Sequence, residues 1–101
     1  MISHDDEQAA FRLFLETWGE TSQIVIAIEE LSELQKELTK FLRGIGSFEN
    51  MMEEVADVEI ILSQLKYLFF DLPQYRHKID TLIEHKLQRA ITKAISENGE
   101  W

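Results

Sequence analysis

The chain has 101 residues and 45% apolar content, which suits one packed domain, residues 1–101, and leaves no room for a second. Ten Lys/Arg against 19 Asp/Glu give a net charge of −9, and the absence of cysteine excludes a disulfide scaffold, a thiolate metal site and a cysteine nucleophile. One proline and four glycines argue against a turn-rich β fold, no apolar stretch approaches the ~18 residues needed to span a bilayer, and the first residues lack the pattern of a signal peptide. The composition therefore leads to the expectation of a small acidic cytoplasmic domain with no membrane partner.

Ser3 is placed to cap a helix that begins near Asp5 with acids in its first turn. Phe11, Phe14, Leu15 and Trp18 follow at helical spacing, as a core stripe would, and Gly19 suits a helix end. A second helix is expected from Thr21 or Ser22 to about Arg43, with Ile24, Ala27, Ile28, Leu31, Leu34, Leu38 and Phe41 in the rhythm of threes and fours. Gly44 to Ser47 forms a turn, and Ser47 caps a third helix carrying Met51, Val55, Val58, Leu62, Leu65 and Phe69. Pro73 fits the first position of a fourth, which carries Ile79, Leu82, Ile83, Leu87, Ala90, Ile91 and Ala94 and ends near Asn98-Gly99. No segment alternates with period two. The expected fold is all-α: four helices around a central antiparallel hairpin. A chain this short buries its apolar surface incompletely, so the bundle is expected to be completed by oligomerisation, as a homodimer or homotetramer.

Charge is unevenly distributed. Residues 1–57 hold 13 acids and 4 bases, whereas residues 58–101 hold six of each. Such a surface repels phosphate backbones, which excludes nucleic acid as a partner, and attracts a divalent cation or a basic protein.

The acids are also patterned. Glu30 and Glu33 lie one turn apart on one face of the second helix, and Glu54 and Asp57 repeat that relation on the third. Glu29 and Glu37 extend the acidic face. At about 100° per residue, Glu54 falls within the apolar stripe of its helix and Asp57 borders it. Four carboxylates about 6 Å apart repel by roughly 3 kcal/mol per pair at an effective dielectric of ~20. Lys36 and Lys40 fall outside the facing pairs, and Glu29, Glu33, Glu37, Glu53 and Asp57 fall four residues from like charges. A hard divalent ion relieves this repulsion, and oxygen-only ligands select Mg²⁺, or Mn²⁺ in its place. None of His4, His77 and His85 follows an acid by three residues, so the di-iron bundle motif is absent, and Gly44 and Gly46 do not form a phosphate loop.

The sequence Glu29-Glu30-x-x-Glu33, followed after 20 residues by Glu54-x-x-Asp57, resembles the signature of the MazG-like all-α NTP pyrophosphohydrolases. The resemblance continues upstream in Trp18-Gly19 and Ser22-Gln23 and downstream in Lys86-Leu87-Gln88-Arg89, covering about residues 11–95. It implies Mg²⁺-dependent hydrolysis of an NTP or dNTP to the monophosphate and pyrophosphate, in a house-cleaning role for the nucleotide pool. It also implies Mg²⁺ ligation by Glu30, Glu33, Glu54 and Asp57, with Glu29 matching the first acid of the motif. Lys86, Arg89 and Lys93 would contact phosphates, and Trp18 and Gln23 would meet the base. An Asn that often accompanies the last basic motif is missing, with Gln88 and Ala90 in its neighbourhood. Dimeric dUTPases and phosphoribosyl-ATP pyrophosphatases share the acid pattern. The alternative from another class is a non-enzymatic acidic helical protein, a mimic of DNA charge or a regulatory dimer. It accounts for the net charge but not for repeated acid pairs bordering apolar stripes.

Overall fold

The computed structural model describes residues 1–99, and within them every regular element is a helix: α1 (His4–Leu42), α2 (Phe48–Phe69) and α3 (Pro73–Asn98). The chain divides into two compact units, residues 1–69 with α1 and α2, and a second from Phe70 onward with α3. Among the described residues no helix is long and apolar enough to cross a membrane.

Three helices stand where four were expected, and Gly19 is the reason. Its backbone, at φ 84° and ψ 166°, leaves helical geometry where the sequence placed a helix end, so α1 consists of two helical arms that meet at a kink and stand for the first two expected helices. That conformation is essentially reserved for glycine. At the start of α1 the Ser3 hydroxyl accepts the Asp6 amide at 3.1 Å, ahead of the acids that favour a helix N-terminus. At its end Gly44, at φ 76°, donates its amide to the Phe41 carbonyl, and Ile45 donates to that of Lys40. The chain then turns, and Ser47 caps α2 by accepting the Asn50 amide at 3.1 Å.

α1 and α2 pack as an antiparallel hairpin. Next to the turn Phe41 stacks on Phe48 with ring centroids 5.6 Å apart, and at the far end Phe11 meets Tyr67 at 5.9 Å. Phe11, Ala27, Val58 and Ile61 form the apolar core. Three polar residues are buried with them, Gln23, Glu37 and Gln64. Gln23, Ala27, Glu30, Leu34 and Glu37 are spaced alternately by four and three, and all are buried or half-buried, so the packed seam of α1 has coiled-coil spacing with polar residues at three of five positions.

The expected apolar stripe of α1 is thus only partly the buried one. Ala27 is buried and Ile24 and Leu34 are half-buried, but Ile28, Leu31, Leu38 and Phe41 are exposed. On α2 Val58 is buried, while Val55 and Leu62 are exposed and Ile61 and Gln64 fill the interface. Trp18, expected in the core stripe, is 54% exposed and stacks on Phe14. The reason is geometric: two helices cover only one narrow seam on each other, and apolar residues beside that seam stay open.

In the second unit Leu72 occupies the N-cap position of α3 in extended geometry without a side-chain cap, and Pro73 begins the helix as expected. Asp71 pairs with Arg76, and Phe70 meets Tyr75 edge to face. Gly99, in the left-handed conformation, closes the helix by donating its amide to the Ile95 carbonyl. No residue of α3 is buried.

Candidate metal centre

The hairpin places two of the four key acids of α2 and α1 on the seam itself. Glu30 and Glu54 are both half-buried, and with Asp57 they bring one carboxylate oxygen each to within 4.8 Å of one another. The i, i+3 spacing of Glu54 and Asp57 puts both on the face toward α1, and the antiparallel register carries Glu30 opposite them.

Electrostatics records the crowding. Glu30 is pushed above the ordinary carboxylate range, first by burial, then by the charge of Asp57, a hydrogen bond shared with Asp57, and the charges of Glu54 and Glu33. Glu54 is also raised, first by burial, then by the charges of Asp57, Glu33, Glu37 and Glu53. Every neighbouring charge that shifts these two groups is negative. The Oε2 atoms of Glu54 and Glu37 are buried without a hydrogen-bond partner. An unsatisfied buried polar group costs about 1–3 kcal/mol, and more when it is charged. The donor set is oxygen only, on facing helices, with one orphaned carboxylate oxygen in the group of three. That is the chemistry a hard divalent cation satisfies.

The remaining expected residues are distributed as follows. Glu33 is exposed and lies outside the close group of three, but its charge acts on both Glu30 and Glu54. Glu29 is exposed and also outside that group. Trp18 and Gln23 line a cleft of about 190 Å³ together with Glu30, Asp57, Ile61 and Gln64. Lys86, Arg89 and Lys93 are exposed along α3, and Lys93 approaches Glu97 at 4.0 Å.

Two residues carry more than their spacing announced. Glu37, one turn beyond Glu33, is 8% exposed, and Lys40 lies 3.4 Å from its Oε1, a cationic partner that the count of like-charged neighbours overlooked. The i, i+3 relation of Glu37 and Lys40 was the available signal. Gln64 is 6% exposed in the same cleft, and nothing in an apolar helical pattern singles out such a glutamine. Comparison with known proteins finds no matching family model, no matching curated protein and no matching solved structure.

Proposed function

We propose that this chain is a Mg²⁺-dependent nucleoside triphosphate pyrophosphohydrolase of the MazG-like kind, converting an NTP or dNTP and water to the monophosphate and pyrophosphate. One observation carries the reading: carboxylates from two helices converge on a packed seam where a stable hairpin would place apolar side chains. Glu30, Glu54 and Asp57 would hold the ion, with Glu33 at its exposed rim. The chemistry that Mg²⁺ would supply there is neutralisation of the acids and of a triphosphate and polarisation of a phosphoryl group. Glu33, or another of these carboxylates, would accept the proton of the attacking water as the water oxygen bonds to phosphorus and the P–O bond that bridges the monophosphate and the pyrophosphate breaks. Lys86, Arg89 and Lys93 share one face of α3 at i, i+3 and i+7 and would contact phosphate oxygens.

The exposed apolar residues of α1, Ile28, Leu31 and Leu38, and the wholly unburied α3 support a homodimer or homotetramer. The test is pyrophosphate release from a panel of NTPs and dNTPs with and without Mg²⁺. At least one substrate is expected to turn over only with the metal, and Asp57→Ala to lower the rate by more than about a hundredfold with helix content unchanged. Turnover that survives in Asp57→Ala rejects the site. No turnover of any substrate, together with salt-sensitive binding of a basic protein, selects the acidic interaction protein instead.

A further inference from the structure

The outer face of α1, turned away from the packed seam, carries a second set of positions at coiled-coil spacing. Val25, Ile28, Ser32, Gln35, Thr39 and Leu42 alternate by threes and fours, as the packed seam does, yet every one of them is exposed. Cations border them. Three of the four bases in residues 1–57 are Lys36, Lys40 and Arg43, and with Ser32, Gln35 and Thr39 they line a groove of about 340 Å³. Lys40 is engaged by Glu37. Lys36 and Arg43, in the most acidic part of the chain, have no ion-pair partner among the described residues.

Their spacing selects what can pair with them. Seven residues apart on one helix, Lys36 and Arg43 share a side and are separated by about 10.5 Å along the axis. Two carboxylates seven residues apart on a second helix have the same separation, whereas an extended chain returns to one face every ~7 Å and misses it. The groove floor suits a helix more than a bare phosphate. Ser32 and Thr39 donate their hydroxyl hydrogens at 2.9 Å to the carbonyls of Ile28 and Gln35, so neither hydrogen is left for a small anion. We propose that this face docks an acidic amphipathic helix of another protein, with apolar residues on Val25, Ile28 and Leu42 and carboxylates one heptad apart on Lys36 and Arg43. A second copy of the chain fits poorly. Its only acids seven residues apart are Glu30 and Glu37, both on the packed seam, and an antiparallel copy would set Glu29 against Lys36 but Ser22 against Arg43. Self-association through Leu31 and Leu38, about 120–160° around α1 from both cations, leaves the face open. The net charge of −9 repels an acidic partner at range, so one that binds must do so through these contacts.

The experiment titrates the full chain, in EDTA and about 0.15 M salt, into two fluorescein-labelled helical peptides of three heptads and follows anisotropy. Both peptides carry leucine at the seam positions; one has glutamate along the adjoining edge and the other glutamine. The glutamate peptide is expected to bind saturably and about fivefold or more tightly than the glutamine peptide. In the chain carrying Lys36→Gln and Arg43→Gln that advantage is expected to vanish, with helix content and the affinity of the glutamine peptide unchanged. Equal affinities for the parent chain, no saturable binding of the glutamate peptide, or an advantage that persists in the double variant each overturns the proposal. Sedimentation without peptide adds a second measurement: a parent oligomer that dissociates in the double variant shows that a second copy covers this face, which overturns the proposal as well. No metal or nucleotide is present, so the outcome is independent of the pyrophosphohydrolase reading.

Discussion

The hairpin of α1 and α2 and the unit containing α3 are both helical, yet they spend their residues differently. Residues 1–69 carry the whole excess of negative charge, all of the buried positions among the described residues and the converging carboxylates. From Phe70 onward acids and bases are balanced and α3 buries nothing. The hairpin places Gln23, Glu30, Glu37, Glu54 and Gln64 at or beside the seam, where leucine or alanine would stabilise it more. The lesson is that its sequence sacrifices stability locally, and the sacrifice clusters where the acids meet. In α3 the exposed Leu82, Ile83 and Leu87 show the opposite situation, apolar residues without a seam.

The largest effect that sharpens this contrast is the response to a divalent ion. On the proposed reading, Mg²⁺ bound only to the folded hairpin would stabilise it by about 2.7 kcal/mol at a hundred times its Kd. The pH dependence has a definite sign. Glu30 and Glu54 have raised folded-state pKa values, so their contribution to stability is fully present below the ordinary carboxylate range and is lost as pH rises through that range to the raised values. The metal-free chain should therefore lose stability over that window, and the gain on adding Mg²⁺ should be larger at pH 7.5 than at pH 5. Thermal melts at both pH values, with and without Mg²⁺, measure this directly. An absent gain at both would show that the seam acids hold no cation, and an equal gain that the ion does not bind through the two acids with raised pKa values.

Next in size is the kink. Gly19→Ala forces a side chain into a backbone conformation that costs about 1–3 kcal/mol, although no neighbouring atom lies within 4 Å of the added methyl. The chain either bears that strain or straightens α1, which would part Phe11 from Tyr67. Denaturant unfolding should show the loss. An unchanged midpoint would mean that the helix runs straight through Gly19 without consequence.

These expectations also show which features were legible before folding. Ser3, Ser47, Pro73 and Gly99 act through hydrogen bonds or dihedrals within a few residues, so composition at those positions was enough to place the helix ends. Gly19 marked a break, but a local signal does not distinguish a helix that stops from one that bends. Glu30, Glu54 and Asp57 were readable because i, i+3 spacing on two helices needs only the hairpin to bring them together. The apolar stripe of α1 was misjudged at Ile28, Leu31 and Leu38 because which part of a broad stripe is covered depends on the partner helix. Glu33 stayed outside the close group for the same reason. It shares a helix face with Glu30, but the seam runs through Glu30 and Glu37.

The smallest effect compares the helix starts. α2 has a capping serine, whereas α3 begins after Leu72, which is exposed, has no polar cap and is followed by a first turn without acids. Leu72 already has the extended geometry an N-cap requires, at φ −131° and ψ 143°, and its carbonyl accepts the amides of Tyr75 and Arg76. Leu72→Asp would add an acceptor for a first-turn amide and a negative charge at the positive end of the helix, together worth about 1 kcal/mol. Ser47→Ala should cost α2 a similar amount. Opposite shifts in midpoint for the two variants are expected in urea melts followed by helix content. Should Leu72→Asp instead destabilise the chain, the leucine must be covered in solution, and α3 would have found the apolar partner that its sequence requires.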